Sequence, residues 1–379
     1  MKKKILIFID WYLPGYKAGG PIQSVANLIE HLKEEFEFSI VTRDTDYCET
    51  EPYKGIKSND WNVLANGIRV FYFSADQLAR ANIRNLMRKE NFDIIYLNGI
   101  YSVYFTLYPL LFLRKKHDKQ ILIAVRGMLS EGSLSVKSTK KIFFLRAVKV
   151  LRLFDKVIFH ATTKSEKEDI QKVFDNTIQI KIAGNLPQKI KELIWKSKEK
   201  KSDTLNLVTI ARISPEKNLL FALKILKEIK SQVTFDIYGP AYNQEYWKKC
   251  QELIKEIPAK VIVNYKGSLE SENVLNELAK YHFMFMPSTG ENFGHVILQS
   301  LLTGCPVIIS DQTPWKNLVE KNIGWDISLQ QSNKFVKTIE KCAQLTQTEY
   351  DELSKHAFSY AKAYMNDDTI VKENRELFM

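Results

Sequence analysis

Pro287-Ser-Thr-Gly-Glu-Asn-Phe-Gly-His295 decides how this chain is read. Before it runs an apolar, strand-like segment, His282-Phe-Met-Phe-Met286, and after it an amphipathic one, Val296-Ile-Leu-Gln-Ser-Leu-Leu302. A strand therefore ends, a short polar loop carries Glu291 and two glycines, and a helix begins near Gly294. A helix N-terminus presents bare N–H groups that hold anions, phosphate above all. A carboxylate beside it grips hydroxyls, and phosphate with hydroxyls describes a sugar nucleotide. The alternative is a loop glutamate that only complements the helix dipole.

Working outward, strands alternate with helices on both sides of this stretch. Strands are expected at 4–9, 38–42, 68–73, 93–97, 121–125, 157–161 and 178–182. Helices are expected at 21–34, 75–89, 101–116 and 140–153. The pattern lapses at 189–201, where six lysines read as a solvated linker or exposed helix. It resumes with strands at 205–210, 234–238, 261–265, 282–286 and 306–309, and helices at 216–230, 244–256, 271–280 and 294–302. Such alternation implies α/β domains with parallel sheets covered on both faces. The expected fold is two doubly wound, Rossmann-like domains facing a cleft. The expected boundaries are 1–188, a Lys-rich linker 189–203, a second domain 204–364 and a C-terminal helix 365–379. Ligands of such sheets bind beyond the carboxyl ends of the strands.

The bulk numbers agree with two packed domains. The chain has 379 residues, 45% of them hydrophobic, which excludes a disordered chain. Its net charge of +11 favours anionic partners: nucleotides, acidic membranes, nucleic acid or acidic glycans. No RNA-recognition motif or zinc finger accompanies that charge. Cys48, Cys250, Cys305 and Cys342 are scattered without metal-ligand spacing, which fits a reducing cytoplasm. Met1-Lys-Lys-Lys followed by Ile5 to Ile9 mimics a signal peptide, but Asp10 interrupts the short apolar run, so it reads as a strand.

Charged and glycine residues gather at the expected strand ends. Arg212 and Lys217, in Ala211-Arg-Ile-Ser-Pro-Glu-Lys-Asn218, follow the strand 205–210. Pro215 suits a first helical position with Ser214 as cap. Two cations there neutralise a diphosphate without metal, or are plain solvated charges. Gly15, Gly19 and Gly20 lie between the first strand and helix, in neither dinucleotide-binding nor P-loop spacing. They permit close backbone approach to a ligand, or form a plain turn. Gly239-Pro240 and Gly267-Ser268 each follow a strand of the second half, Arg126-Gly127 ends one in the first half, and His160 sits near another. Asp44-Thr-Asp46 has the form of a metal clamp, though paired Asp in a loop is more often a turn former. No His or Cys cluster supports a transition metal.

Together these residues resemble the family 4 glycosyltransferases, retaining enzymes of the GT-B architecture. The likeness covers the second half from Arg212-Ile-Ser-Pro-Glu-Lys217 to Pro306-Val-Ile-Ile-Ser-Asp-Gln-Thr-Pro314. It is looser in the first, through the Gly-Gly loop, Arg126-Gly-Met-Leu129 and His160-Ala-Thr-Thr163. The family's E-x7-E pattern has Glu291 at its first position and a departure, Gln299, at its second. The resemblance implies that Glu291 contacts the donor sugar, that Arg212 and Lys217 hold the leaving diphosphate, and that Gly19 and Gly20 approach the phosphates. It places Gly239, Gly267, Ser268, Asn292, Phe293, Gly294 and Gln299 on the donor. Arg126, Gly127 and His160 become candidates for sugar or acceptor contact. It further implies no cofactor or metal, a nucleotide-sugar donor (UDP-linked favoured, GDP-linked the alternative) and a glycan or lipid-linked glycan acceptor. The setting is bacterial surface polysaccharide synthesis, such as capsule or O-antigen, in the cytoplasm or at the inner face of an anionic membrane. The last helix is expected to cross back to the first domain. A degenerate subunit without turnover and a sugar-nucleotide epimerase stay open as alternatives, with no nucleic-acid partner in any of these readings.

Overall fold

The structure, a computed structural model, describes residues 2–114, 119–130, 133–134, 138–174, 178–190, 192 and 194–379. The chain forms two compact units, Met1–Lys189 with Asp368–Met379, and Ile190–Asp367.

The first unit is built on eight strands: β1 (Lys4–Ile9), β2 (Glu37–Arg43), β3 (Trp61–Val63), β4 (Arg69–Phe73), β5 (Ile94–Asn98), β6 (Gln120–Ala124), β7 (Val157–Ala161) and β8 (Gln179–Ile182). Their order is β3-β4-β2-β1-β5-β6-β7-β8. Every pairing is parallel except β3 with β4. Strands buried on both faces read as unbroken apolar runs, and Ile5-Leu-Ile-Phe-Ile9 is one. Leu6 and Phe8 join one core cluster and Ile5, Ile7 and Ile9 the other, as alternation along a strand requires. The last residues seal the second cluster. Phe378 packs its ring on Phe36, Phe38 and Tyr96, and Arg375 forks onto Glu35 at 2.5 and 2.8 Å.

The second unit has β9 (Thr204–Ile210), β10 (Gln232–Tyr238), β11 (Val261–Gly267), β12 (Phe283–Met286), β13 (Val307–Ser310) and β14 (Gly324–Ile327), in the order β11-β10-β9-β12-β13-β14. All pairs are parallel. The chain winds outward from β9 through β10 to β11, then returns to lay β12 on the other side of β9. Strand order reverses there, so the β9–β12 junction is the switch point of this sheet.

Several expectations change. The helix expected at 216–230 is a short 3-10 turn, Pro215–Lys217, then an α-helix, Leu219–Lys227. Asn218 separates them at φ 59°. Pro215 opens the turn as expected, but the Ser214 side chain makes no capping bond. The helix expected at 101–116 is a π-helical turn, Val103–Leu107, followed by Tyr108–Leu113; residues 115–116 lie outside the described residues. β3, β14 and the helices Lys164–Phe174, Ser332–Gln344 and Gln347–Met365 were not expected.

The Lys-rich segment is not simply solvated where it is described; Lys191 lies outside the described residues. Lys200 is 4% exposed and donates to the Ala343 and Lys201 carbonyls at 2.7 and 2.8 Å. Lys198 donates to the Tyr281 and Gly304 carbonyls, both at 3.1 Å. Trp195 Nε1 donates to Ser354 Oγ at 2.9 Å. Lysine counts read as solvent because the ammonium prefers water, but these ammonium groups cap carbonyls at the ends of other elements.

Candidate active site

The second unit's site is assembled at its switch point from the loops that follow β9 and β12. The β9 loop leaves as an extension of the sheet. Ala211 N donates to Tyr238 O at 2.9 Å and Ile213 N to Pro240 O at 3.0 Å, which holds Arg212 between two fixed residues. The 3-10 turn then brings Lys217 round. Three bonds tie this loop to the one after β12. Thr289 N and Oγ1 donate to Glu216 O at 2.9 and 3.2 Å, and Asn218 Nδ2 donates to Pro287 O at 3.1 Å. Glu291 N is fixed in turn on Gln312 O at 3.1 Å.

The result is an ion pair. Lys217 Nζ lies 2.5 Å from Glu291 Oε1, with the two side chains 21% and 10% exposed. Arg212 Nη2 lies 3.7 Å from Glu216 Oε1, with its side chain one-third exposed. Two cations and two carboxylates thus stand at the carboxyl edge of the sheet, brought together from positions 74 residues apart in the case of Lys217 and Glu291. Cations positioned by backbone bonds neutralise charge without reorganising, and a carboxylate accepts hydroxyls.

The glycines have separate reasons. Gly239 has φ 141°, and a Cβ there would lie 1.8 Å from the Ala211 carbonyl oxygen. Its bareness lets β10 end against the Arg212 loop, so it positions the cation. Gly267 O accepts from Gly239 N at 2.8 Å; the space beside Gly267 is open, and Ser268 is exposed. Gly294, at φ 76°, caps the helix His295–Leu302, which has no acidic residue in its first turn. Glu291 lies beside that N-terminus, its Cγ 3.8 Å from where a Gly294 Cβ would be. Gln299 sits inside that helix, 6% exposed, with no hydrogen-bond partner for its amide among the described residues.

Phe293 is a correction. It was expected on the donor, but its ring is buried on His295, Trp315 and Tyr364, and Trp315 Nε1 donates to its carbonyl at 2.5 Å. An aromatic beside a motif glycine has as good a reason to fill the core as to meet a ligand.

In the first unit, Gly19 caps the helix Gly20–Leu32 at φ 76°, with open space where a side chain would be. Gly15 instead faces Tyr53 and Asp46. Asp46 accepts from Tyr16 N, Lys17 N and Tyr47 N at 2.9, 3.2 and 2.7 Å, so it builds the glycine loop. Asp44 accepts from Ser58 Oγ at 2.6 Å. Among the described residues no group of three or more His, Cys, Asp or Glu is placed to hold a metal.

Arg126 is spent on its neighbours. Nε donates to Asn98 Oδ1 at 2.9 Å, Nη1 to Asn185 Oδ1 at 2.6 Å and Nη2 to the Tyr96 hydroxyl at 2.9 Å. Glu166, which the sequence reading passed over, is 5% exposed; it accepts from Gly127 N and from Thr162 N and Oγ1, all within 2.7 Å. His160 is the second correction. It is 1% exposed, with Nδ1 on the Tyr96 hydroxyl and Nε2 on Ala183 O, both at 2.8 Å. Burial, helped by the Arg126 charge, pushes its pKa down to about 3, so it is a neutral structural residue with no nitrogen for a sugar. Asp10 and Arg43 were also missed. They end β1 and β2 and meet at 3.4 Å, Ser102 Oγ donates to Asp10 at 3.0 Å, and Arg43 lies over Trp11, Tyr104 and Phe105. Burial holds the Asp10 carboxyl above its ordinary range, with Arg43 and Ser102 opposing. The only sequence signal was a pair of charges closing two apolar runs.

With this geometry in hand, residues 189–361 match the family described as glycosyl transferases group 1. That match covers a little under half of the chain, and by it this segment resembles a group 1 glycosyltransferase domain. The whole chain superimposes on sucrose-phosphate synthase from Thermosynechococcus elongatus at a TM-score of 0.74, with 16% identity, covering 100% of this chain and 98% of that one. Against Anabaena HepE in complex with UDP-glucose the TM-score is 0.71, with 17% identity and 99% of each chain covered. These likenesses show the GT-B fold. In sequence, 185 residues are 27% identical to the UDP-N-acetylglucosamine–peptide N-acetylglucosaminyltransferase GtfA subunit of Streptococcus agalactiae. That match takes in 46% of this chain and 35% of the relative, so the chain spans about a third of that protein's length. The glycosyltransferase segment contains Arg212, Lys217, Glu291, Gly294 and Gln299.

Proposed function

We propose that this protein is a retaining, metal-independent glycosyltransferase that moves a sugar from a nucleoside diphosphate sugar to a glycan or lipid-linked glycan acceptor. One observation carries the reading: the ion pairs Lys217–Glu291 and Arg212–Glu216 lie on the loops after β9 and β12, at the switch point of a segment that matches the group 1 glycosyltransferases. As the glycosidic bond breaks, negative charge grows on the diphosphate and positive charge on the sugar carbon. Arg212 and Lys217 neutralise the first. Glu291 keeps Oε2 for sugar hydroxyls, since Oε1 carries Lys217. Gln299 offers an amide to the nucleoside where the family pattern has a carboxylate.

A UDP-linked donor is favoured because HepE was solved with UDP-glucose and TarM of S. aureus with UDP and α-GlcNAc-glycerol. The surface-polysaccharide setting draws on WaaG, a glycosyltransferase involved in lipopolysaccharide biosynthesis. In this reading the protein works in the cytoplasm, at the inner face of an anionic membrane.

The test is purified protein with a panel of UDP-, GDP-, ADP- and TDP-sugars, read by thermal shift and by release of the nucleoside diphosphate. One nucleotide class should raise the melting temperature and turn over at a rate that EDTA leaves unchanged. Product analysis should show the donor's anomeric configuration. Failure of every donor to bind would refute the reading, whereas binding without turnover would favour the degenerate subunit, whose motivating feature is Gln299.

A further inference from the structure

We propose that the helix Ser138–Val150 docks this protein on an anionic lipid bilayer. The inference deepens the membrane part of the reading above and rests on none of its catalytic residues. Four large apolar side chains are exposed together at and just beyond this helix: Ile142 at 47%, Phe143 at 76%, Val150 at 82% and Leu151 at 48%. Its inner face is already satisfied, because Leu145 and Val148 are buried in the core. Phe143 and Val150 are seven residues apart, two turns along one outer stripe, with Arg146 between them. Apolar side chains therefore occupy both faces, and burial among the described residues explains only one of them.

Charge selects the occupant. Residues 138–156 contain Lys140, Lys141, Arg146, Lys149, Arg152 and Lys156 against one acid, Asp155, which pairs with Arg152 at 2.5 Å. A second copy of the chain would set this positive face against itself. A bilayer carrying anionic headgroups takes the cations at its surface and the apolar tips just beneath. The helix has 13 residues, too few to span the roughly 20-residue depth of a bilayer, so it lies along the interface. The aromatic run Tyr101–Tyr108 is packed on the core through Phe105, Tyr101, Tyr104 and Tyr108.

The experiment is cosedimentation of the full chain with mixed phosphatidylglycerol–phosphatidylcholine vesicles and with pure phosphatidylcholine vesicles. Binding is expected only to the anionic vesicles, and weaker as salt rises. Arg146→Gln/Lys149→Gln should weaken it about 25-fold, roughly five-fold per charge. Phe143→Ser/Val150→Ser should weaken it about 10-fold or more. Melting temperatures and donor turnover without vesicles should match the native protein in both variants, which keeps this test separate from that of the active site. Equal binding to neutral and anionic vesicles, no binding at all, or double variants that sediment like the native chain would each overturn the proposal.

Discussion

Replacing Lys217 with alanine separates a catalytic cation from a structural one. The Lys217–Glu291 pair is close, at 2.5 Å, but partly open to water, at 21% and 10% exposure. Exposed pairs contribute up to about 1 kcal/mol and fully buried ones cost ~3–5 kcal/mol when one partner is removed. The stability loss for Lys217→Ala should fall between these, about 1–3 kcal/mol, and leave the protein folded at assay temperature. Turnover should suffer far more. One preorganised donor to a developing anion contributes ~2.7–4 kcal/mol, so kcat should drop about 10²–10³-fold. UDP should bind roughly 10- to 150-fold more weakly, the loss of one charge-assisted hydrogen bond of ~1.5–3 kcal/mol. The double variant Lys217→Ala/Glu291→Gln decides the role. If Lys217 meets the diphosphate and Glu291 the sugar, the double variant is slower than either single variant. If Lys217 only aims Glu291, adding Lys217→Ala to Glu291→Gln costs nothing further. Steady-state release of nucleoside diphosphate measures all three. Lys217→Ala retaining turnover within about threefold of native, against the 10²–10³-fold expected, would refute the assignment.

Three other outcomes are expected. Gln299→Glu should tighten donor binding several-fold, because a charge-assisted bond to a ribose hydroxyl replaces a neutral one at a difference of about 1 kcal/mol; calorimetry showing weaker binding would mean the site is tuned to the amide. Gly239→Ala should destabilise the second unit by about 1–3 kcal/mol and weaken UDP binding with it, since its Cβ lands on the Ala211 carbonyl and must displace the Arg212 loop; a native melting temperature would contradict this. Acid should weaken the first unit through His160, whose pKa is about 3 when folded against an ordinary 6.5. The unfolded chain takes this proton first, so the stability is complete above pH ~6.5 and lost as pH falls toward 3. At pH 5 the loss is about 1.5 × 1.36, or ~2 kcal/mol. His160→Gln should flatten that part of the melting-temperature profile, and an unchanged acid slope would show that the histidine is not the proton acceptor.

The alternation of apolar runs and helical stripes was legible because the central strands of both sheets are parallel and buried on both faces, so each announces itself. The missed elements lack that signature. β3 is a three-residue antiparallel edge with no buried residue, and β14 opens at Gly324 with φ 148°, where a Cβ would strike the Val307 backbone. Lys164–Phe174 buries little beyond Glu166 and Ile170, so its apolar stripe is thin. Arg212, Lys217 and Glu291 were legible as neighbours because each follows a strand of one sheet, and the loops at the carboxyl ends of adjacent strands converge. Phe293 and His160 were misread because residue type alone does not say whether a ring faces a ligand or a core. Only the partners around them, Trp315 and Tyr364 for one and Tyr96 and Ala183 for the other, decide it.

The two units also use their strand ends differently, and this bears on where chemistry resides. In the first unit the polar groups at the ends of β5, β6 and β7 consume one another. Arg126 is held by Asn98, Asn185 and Tyr96, and Glu166 by Gly127 and Thr162. Such a network fixes loops and leaves little to give a substrate. Asp10 and Arg43, at the ends of β1 and β2, are the looser pair there, 3.4 Å apart beside Trp11 and Tyr104. In the second unit the loops after β9 and β12 are held mainly by backbone bonds instead, and Arg212 and Lys217 face the carboxylates Glu216 and Glu291. Ion pairs aimed by the main chain can take on a diphosphate and a sugar without moving the backbone. That difference in what holds the side chains, more than the number of charges, is what favours the second unit as the donor side in the function proposed above.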